Sequence, residues 1–232
     1  MRIFVTGTDT GVGKTFFCGL LLRFLKDQGI RAGYQKWVSS GGGQLPEDLA
    51  FCLGMAGEDC DPAMLDLQVP YRLQMPASPH LAAEKEGVSI DPAVIRQRFE
   101  AMAGMYEILV VEGVGGLMVP LSRDLLLSDL LATMKLPCVV VARSGLGTLN
   151  HTLLSLEALR HRDIPLVGVV FSDAGPDQHE TIVADNMQTI AAIGKVPVLG
   201  RIPWCAEPLE AVRHFDKIGR AILAQQTGLA AV

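Results

Sequence analysis

Residues 7–15 read "GTDTGVGKT" and stand between an apolar run, "RIFVT" at 2–6, and an apolar-periodic segment at 14–28. A strand, a glycine-rich turn and a Lys-Thr pair opening a helix form the context of a phosphate site. Backbone N–H groups from Gly11 through Val12 and Gly13 to Lys14, with Phe16 in the same first turn, would cradle phosphate oxygens at a helix N-terminus. The Lys14 ammonium would bridge terminal phosphates and the Thr15 hydroxyl would ligate magnesium. The spacing is one residue too long: the usual G-x-x-x-x-G-K-[ST] puts a glycine at Thr8, and the nearest is Gly7. A glycine-rich turn ending in an exposed lysine is the competing reading.

Magnesium at such a loop takes a carboxylate from the end of another strand. Glu112 closes the apolar run "YEILVV" and precedes "GVGG" (Gly113, Val114, Gly115, Gly116), whose glycines permit close backbone approach. Asp48, in "LPEDLAFCLG", is a second candidate at a helix start, where capping is the alternative; Glu47 fits either job. Lys36, in "YQKWVSSGGG", ends a strand on the face shared by Tyr34 and Val38. It is either an ordinary edge-strand lysine or a cation that stabilises charge during phosphoryl transfer.

The elements that must position these groups are apolar, β-branched runs at 2–6, 32–38, 107–112, 137–142, 165–171 and 196–200. They alternate with helix-length segments at 14–28, 125–135, 147–162, 178–193 and 207–225. Such alternation predicts an α/β fold with a mostly parallel sheet covered by helices on both faces. Ligands then gather at the carboxyl ends of the strands. The clusters "GTDTGVGKT", "SSGGG", "EGVGG", "RSGLGTLNH", "SDAGPD" and "PWCAEP" each follow a run and are expected on that edge. Residues 41–105 interrupt the alternation without a core of their own and read as an insertion over the strand ends, within one domain spanning 1–232.

Composition narrows the function. An apolar content of 49% suits a buried core, and 20 basic against 25 acidic side chains leave a charge of -5, with no global field for nucleic acid or an anionic membrane. The five cysteines, 18, 52, 60, 138 and 205, form no C-x-x-C pair and read as buried apolar residues of a reduced, cytoplasmic protein. No apolar run approaches a membrane span.

Taken together, these segments resemble the dethiobiotin synthetase family. "VTGTDTGVGKT" is similar to its variant phosphate loop G-T-D-T-x-V-G-K-T, which carries the same extra residue. "GYQKWVSSG" resembles G-Y-K-P-V-x-S-G, "PASPHLAAEKEG" resembles a P-x-S-P-H segment, and "VEGVGGLMVPL" resembles V-E-G-A-G-G. "LGTLNHTLLSLEAL" and "GRIPWCAEP" look like its L-G-x-x-N-H helix start and its I-P-W segment. The resemblance implies a phosphate-loop fold and a homodimeric enzyme using ATP, magnesium and carbon dioxide (or bicarbonate) to close the ureido ring of 7,8-diaminononanoate through a carbamate and its phosphoric anhydride. It implies that Lys36 and Lys14 stabilise the carbamate and the transferring phosphoryl group, and that Thr10 and Ser40 hold the diamine or carbamate end. Thr15, Asp48 and Glu112 would serve magnesium. Gly115 would line the substrate path, and Asn150, at a helix N-terminus beside the subunit interface, would hold the substrate carboxylate.

Two positions depart from the family pattern. Trp37 stands where proline usually follows the lysine, and Ser172 precedes Asp173 where an Asn-Asp pair usually reads adenine. A serine hydroxyl cannot supply the paired donor and acceptor of an asparagine, so other nucleoside triphosphates are admitted. Pro203, Trp204, Cys205 and Glu207 complete the expected base pocket, with a structural role for Trp204 as the alternative. His80 and His151 read as shaping residues, and the remaining histidines as surface. Of two rivals, a partition-type switch ATPase carries a lysine where this chain has Asp9, and a glutamine-dependent amide synthase needs a glutaminase domain for which 232 residues leave no room.

Overall fold

Alternating side chains on the central strands feed two apolar layers. On β1 (Arg2–Gly7), Ile3 and Val5 enter one core cluster and Phe4 the other. On β5 (Ile108–Gly116), Val110 enters the first and Leu109 and Val111 the second. A strand that is apolar on both faces must be covered on both, which is why helices lie above and below. The computed structural model describes residues 1–43 and 45–229; Gln44 and residues 230–232, which fall within the expected domain, lie outside the described residues.

In chain order β1 is followed by α1 (Lys14–Asp27), β2 (Ala32–Lys36), β3 (Val38–Ser40), α2 (Glu47–Met55), α3 (Leu65–Gln68), β4 (Tyr71–Leu73), α4 (Pro79–Glu86) and α5 (Pro92–Met105). Then come β5, α6 (Leu127–Met134), β6 (Cys138–Arg143), α7 (Thr148–His161), β7 (Leu166–Ser172), α8 (Glu180–Gly194), β8 (Val198–Ile202) and α9 (Val212–Leu229). Six parallel strands pair in the order β2-β5-β1-β6-β7-β8, while β3 and β4 form a separate parallel pair. The order reverses at β1, so the loop after β1 lies at the switch point where ligands bind.

Three local expectations need correction. The run 32–38 breaks at Trp37: Val38 begins β3 and joins the cluster of Trp37 and Phe4, not the cluster of Tyr34. The indole packs on Phe4 at 4.8 Å between centroids, which turns the chain there. Glu112 is not at a strand end, because β5 continues through Gly116. Glycine makes this possible: a Cβ on Gly113 would meet the Phe4 ring at 2.9 Å. Residues 41–105 also do more than cover strand ends. Leu49 and Cys52 of α2 enter the first core cluster, and Ile95 and Phe99 of α5 enter the second. Of the cysteines, 18, 52 and 138 are buried, but Cys60 and Cys205 are only half-buried; all five are free thiols.

Candidate active site

The phosphate loop owes its shape to two glycines. Gly11 and Gly13 have φ of 70° and 98°, a region that side chains with a Cβ disfavour, and a Cβ on Gly13 would strike the Ser172 hydroxyl at 2.6 Å. No side chain caps the N-terminus of α1, so its first amides face the loop without a side-chain acceptor. Lys14 curls back and donates to the Asp9 carbonyl at 2.8 Å. Burial, chiefly, and the neighbouring Lys36 pull its pKa below the ordinary lysine value, against the attraction of Glu112.

Beside the loop, β2 and β5 pair in parallel register with Lys36 opposite Glu112. Lys36 Nζ donates to Glu112 Oε1 at 2.8 Å and is also paired with Asp48 Oδ2. The Thr15 hydroxyl lies 2.9 Å from Glu112 Oε1 and 3.0 Å from Asp48 Oδ1, although it has one proton to give. Tyr34 OH donates to Glu112 Oε2 at 2.7 Å. Glu112 is 0% exposed, so these donors are what make a carboxylate tolerable there. Burial would lower the Lys36 pKa, but the two carboxylates outweigh it and hold the ammonium above its usual range. Asp48 is moved the other way: burial raises its pKa, and Lys36 more than reverses that. β2 is indeed the edge strand of the six, but Lys36 is not a solvated edge lysine, since its side chain is buried at the strand terminus.

Hydroxyl and carboxylate oxygens converging on one point make a hard-oxygen set that fits magnesium. Among the described residues no group of three or more His, Cys, Asp or Glu could hold a metal, so an ion here would complete its shell with phosphate oxygens and water.

A cavity of about 710 Å³ opens over this cluster. Its floor includes Gly11, Gly13, Lys14, Thr15 and Phe16, with Lys36, Asp48 and Glu112 on one side. Thr10, Ser40, Val114 and Gly115 line it further out. Pro76, Ala77, Ser78 and Pro79, which lead into the start of α4, line it as well and were not among the expected site residues. Val12 and Gly113 do not line it; Val12 is packed into the core.

The rest of the expected site lies elsewhere. Ser172 comes up against the loop at Gly13, but neither it nor Asp173, Pro203, Trp204, Cys205 or Glu207 lines the cavity. Asp173 is engaged from several sides. Arg201 Nε and Nη2 bond its two oxygens at 2.9 and 2.8 Å, the Ser144 hydroxyl donates to Oδ1, and the Trp204 amide reaches Oδ2 at 3.3 Å. Arg201 also holds Glu180 at the start of α8. The Trp204 ring itself is 46% exposed. Asn150 is exposed in the first turn of α7, whose N-cap, Gly147, leaves the helix without a side-chain cap. His80 lines a separate cleft of about 380 Å³ against residues 120–126.

Trp37, in the place of the usual proline, is held by side-chain hydrogen bonds. Its indole Nε1 donates to Gln35 Oε1 at 3.1 Å, and Gln35 Nε2 donates to the Leu67 carbonyl at 2.8 Å. The residues flanking Lys36 are therefore tied to each other and to α3, which restrains the backbone as a proline would. Tyr34 was missed as a site residue, although its position two before Lys36 on a strand was the available signal.

A phosphate loop at the switch point of a parallel six-stranded sheet defines a P-loop NTPase-like α/β protein. A family model described as an AAA domain matches residues 1–210. Over its whole length the chain also matches the MinC:MinD cell division protein complex of Aquifex aeolicus, with a TM-score of 0.59 and 16% identity, covering 100% of this chain and 96% of that one; this likeness shows the fold alone. The chain is 38% identical over 198 residues to the ATP-dependent dethiobiotin synthetase of Methanococcus vannielii, covering 85% of this chain and 91% of that one. It is 45% identical over 207 residues to that of Rhodopseudomonas palustris (strain BisA53), covering 88% and 86%. The chain belongs to the dethiobiotin synthetase family.

Proposed function

We propose that this chain closes the ureido ring of 7,8-diaminononanoate with carbon dioxide and ATP, giving dethiobiotin, ADP and phosphate. The observation that carries the reading is the convergence of Lys14, Lys36, Thr15, Asp48 and Glu112 under one cavity in a member of this family. One amine adds to carbon dioxide and loses a proton, forming a carbamate. A carbamate oxygen attacks the γ-phosphorus and expels ADP. The second amine then attacks the carbonyl carbon of the mixed anhydride, and phosphate departs with the oxygen that bound it.

The protein's part is positioning and charge compensation. Lys14 sits with the phosphate-loop amides and neutralises the transferring group. Lys36, released from Asp48 and Glu112, turns toward the carbamate, and Thr10 and Ser40 hold the diamine end. Thr15, Asp48 and Glu112 would hold magnesium, which when bound would offset charge on the terminal phosphates. Lys36 pairs with both carboxylates and holds the Asp48 carboxyl below its ordinary range, leaving one net negative charge to attract a cation. Gly11 to Phe16 and Glu112 to Gly115 bound the nucleotide's phosphates; Ser172, Asp173, Pro203, Trp204, Cys205 and Glu207 flank its base, and nucleoside triphosphates other than ATP are admitted. Residues 41–105 belong to the same domain and shape the substrate side through residues 76–79.

The working form is a homodimer with substrate near the interface. Leu146 is 85% exposed, and Met118 and Leu154 line a shared groove of about 360 Å³ beside the loop, an apolar surface suited to a second copy. Asn150 and the uncapped α7 would take the substrate carboxylate from there. Among the described residues no helix is long and apolar enough to cross a membrane, and five free thiols agree with a reducing cytoplasm. Phosphate release should require diaminononanoate, bicarbonate, magnesium and ATP together. Release that ignores the diamine would favour the partition-type switch ATPase.

A further inference from the structure

Glu112 has two oxygens in unlike surroundings. Oε1 faces the site, where Lys36 and Thr15 reach it at 2.8 and 2.9 Å. Oε2 faces the core and receives the Tyr34 hydroxyl at 2.7 Å. Tyr34 is fully buried on β2, one strand over, with Val110 as its paired residue. The phenol has nowhere to turn. A phenol keeps its proton at neutral pH, so it stays a donor. The Cys18 thiol also lies against Glu112, but a thiol is a weak donor.

A carboxylate with one oxygen tied down can offer a cation only the other. Magnesium asks for one oxygen per ligand in a tight octahedron; calcium accepts both oxygens of a carboxylate at longer range. Resting on the magnesium reading above, we propose that Tyr34 is a positioning residue that holds Glu112 to a single open oxygen and thereby sets the site's affinity and its preference for magnesium over calcium. Among the described residues the one oxygen its hydroxyl donates to is Glu112 Oε2; its other polar neighbour is the Cys52 thiol, a weak partner.

The test is Tyr34→Phe, which keeps the ring and removes the donor. Mn2+ binding is followed by electron paramagnetic resonance with a non-hydrolysable ATP analogue present, and Mg2+ and Ca2+ are then titrated against the bound Mn2+. Loss of a group that orients a metal ligand weakens binding by roughly 10-fold. The variant should therefore show that loss for Mn2+ and a competition ratio shifted toward Ca2+. An unchanged affinity and ratio, with only a lower melting temperature, would reduce Tyr34 to a core residue and overturn the proposal. Wild-type protein that bound no Mn2+ beside the analogue would instead bring down the magnesium reading itself. Should the variant not fold, the wild-type chain with its 3 tyrosines replaced by 3-fluorotyrosine gives a second readout by fluorine NMR. The Tyr34 resonance should move when Mg2+ joins the analogue, while Tyr71 and Tyr106, which lie outside the cluster, stay in place. A stationary Tyr34 resonance would contradict the proposal.

Discussion

On the β2-β5-β1 half of the sheet's carboxyl edge, Lys14, Lys36, Asp48 and Glu112 are pooled beneath an open cavity. On the β6-β7-β8 half, Arg201 locks both the buried Asp173 and the exposed Glu180, and the indole of Trp204 stands beside them half-exposed. Both halves contain a buried carboxylate held by a cation, yet the two arrangements differ in what happens when a ligand arrives. The Lys36 contacts can be exchanged, because the same oxygens that hold the lysine also suit a metal. The Arg201 fork is bidentate toward both of its carboxylates, and exchanging it would forfeit four charge-assisted bonds. The first half is therefore arranged for exchange with a ligand, and the second for holding the ends of β7, β8 and α8 in place.

The largest expected effect comes from Lys36→Ala. Turnover should fall by roughly 10^2 to 10^3 or more, as when a charge-stabilising group is removed. Nucleotide affinity, measured by calorimetry, should change only a few-fold, and stability should drop by about 3 kcal/mol because two carboxylates lose their cation. Arg201→Leu should show the opposite pattern. Leaving Asp173 without its fork costs about 2 kcal/mol in denaturant melts, while turnover at saturating nucleotide stays near wild type. If Arg201→Leu cost turnover as Lys36→Ala does, the contrast between the two halves would fail.

The pH response sharpens the same contrast. Asp48 has a folded pKa below its ordinary 3.8, so its contribution to stability is present above that value and is lost as pH falls through the lower folded one. Lys36 has a folded pKa above 10.5, so its contribution is present below that value and is lost as pH rises through the higher one. Melting temperature should thus stay flat near neutrality, and Asp48→Asn should soften the acid limb below about pH 4 and, by removing one of the two carboxylates that raise Lys36, move the alkaline limb to lower pH. Smaller again, Trp204→Ala should raise the nucleotide KM about fivefold, the loss of roughly 1 kcal/mol of base stacking. Smallest, Ser172→Asn should move the rate ratio of ATP to CTP toward ATP by a few-fold through a two-point contact; an unchanged ratio would mean that position 172 does not face the base.

The phosphate loop, Glu112 and Asp48 were legible because each sits at a junction that sequence marks: a glycine turn, the end of an apolar run, a helix start. The sheet was legible from its β-branched runs. What escaped depended on partners far along the chain. That Asp173 is saturated follows from Arg201, 28 residues on, and no local pattern announces that pairing. Tyr34 looked like one more apolar strand residue, since a phenol shows its polar use only when a buried acceptor faces it. The break at Trp37 was hidden because "AGYQKWV" has unbroken strand propensity; the tertiary stack on Phe4 decides it. Residues 76–79 belong to a proline-rich stretch whose position over the loop is set by β3 pairing with β4.

The central claim is that phosphate leaves the protein carrying an oxygen that entered with carbon dioxide. Turnover with 18O-labelled bicarbonate in ordinary water, quenched within a few cycles and read by mass spectrometry of the released phosphate, tests it directly. The account predicts one labelled oxygen per phosphate, appearing only with the diamine present and matched by dethiobiotin formed. Phosphate whose new oxygen comes from water, at the same rate with or without the diamine, would contradict it.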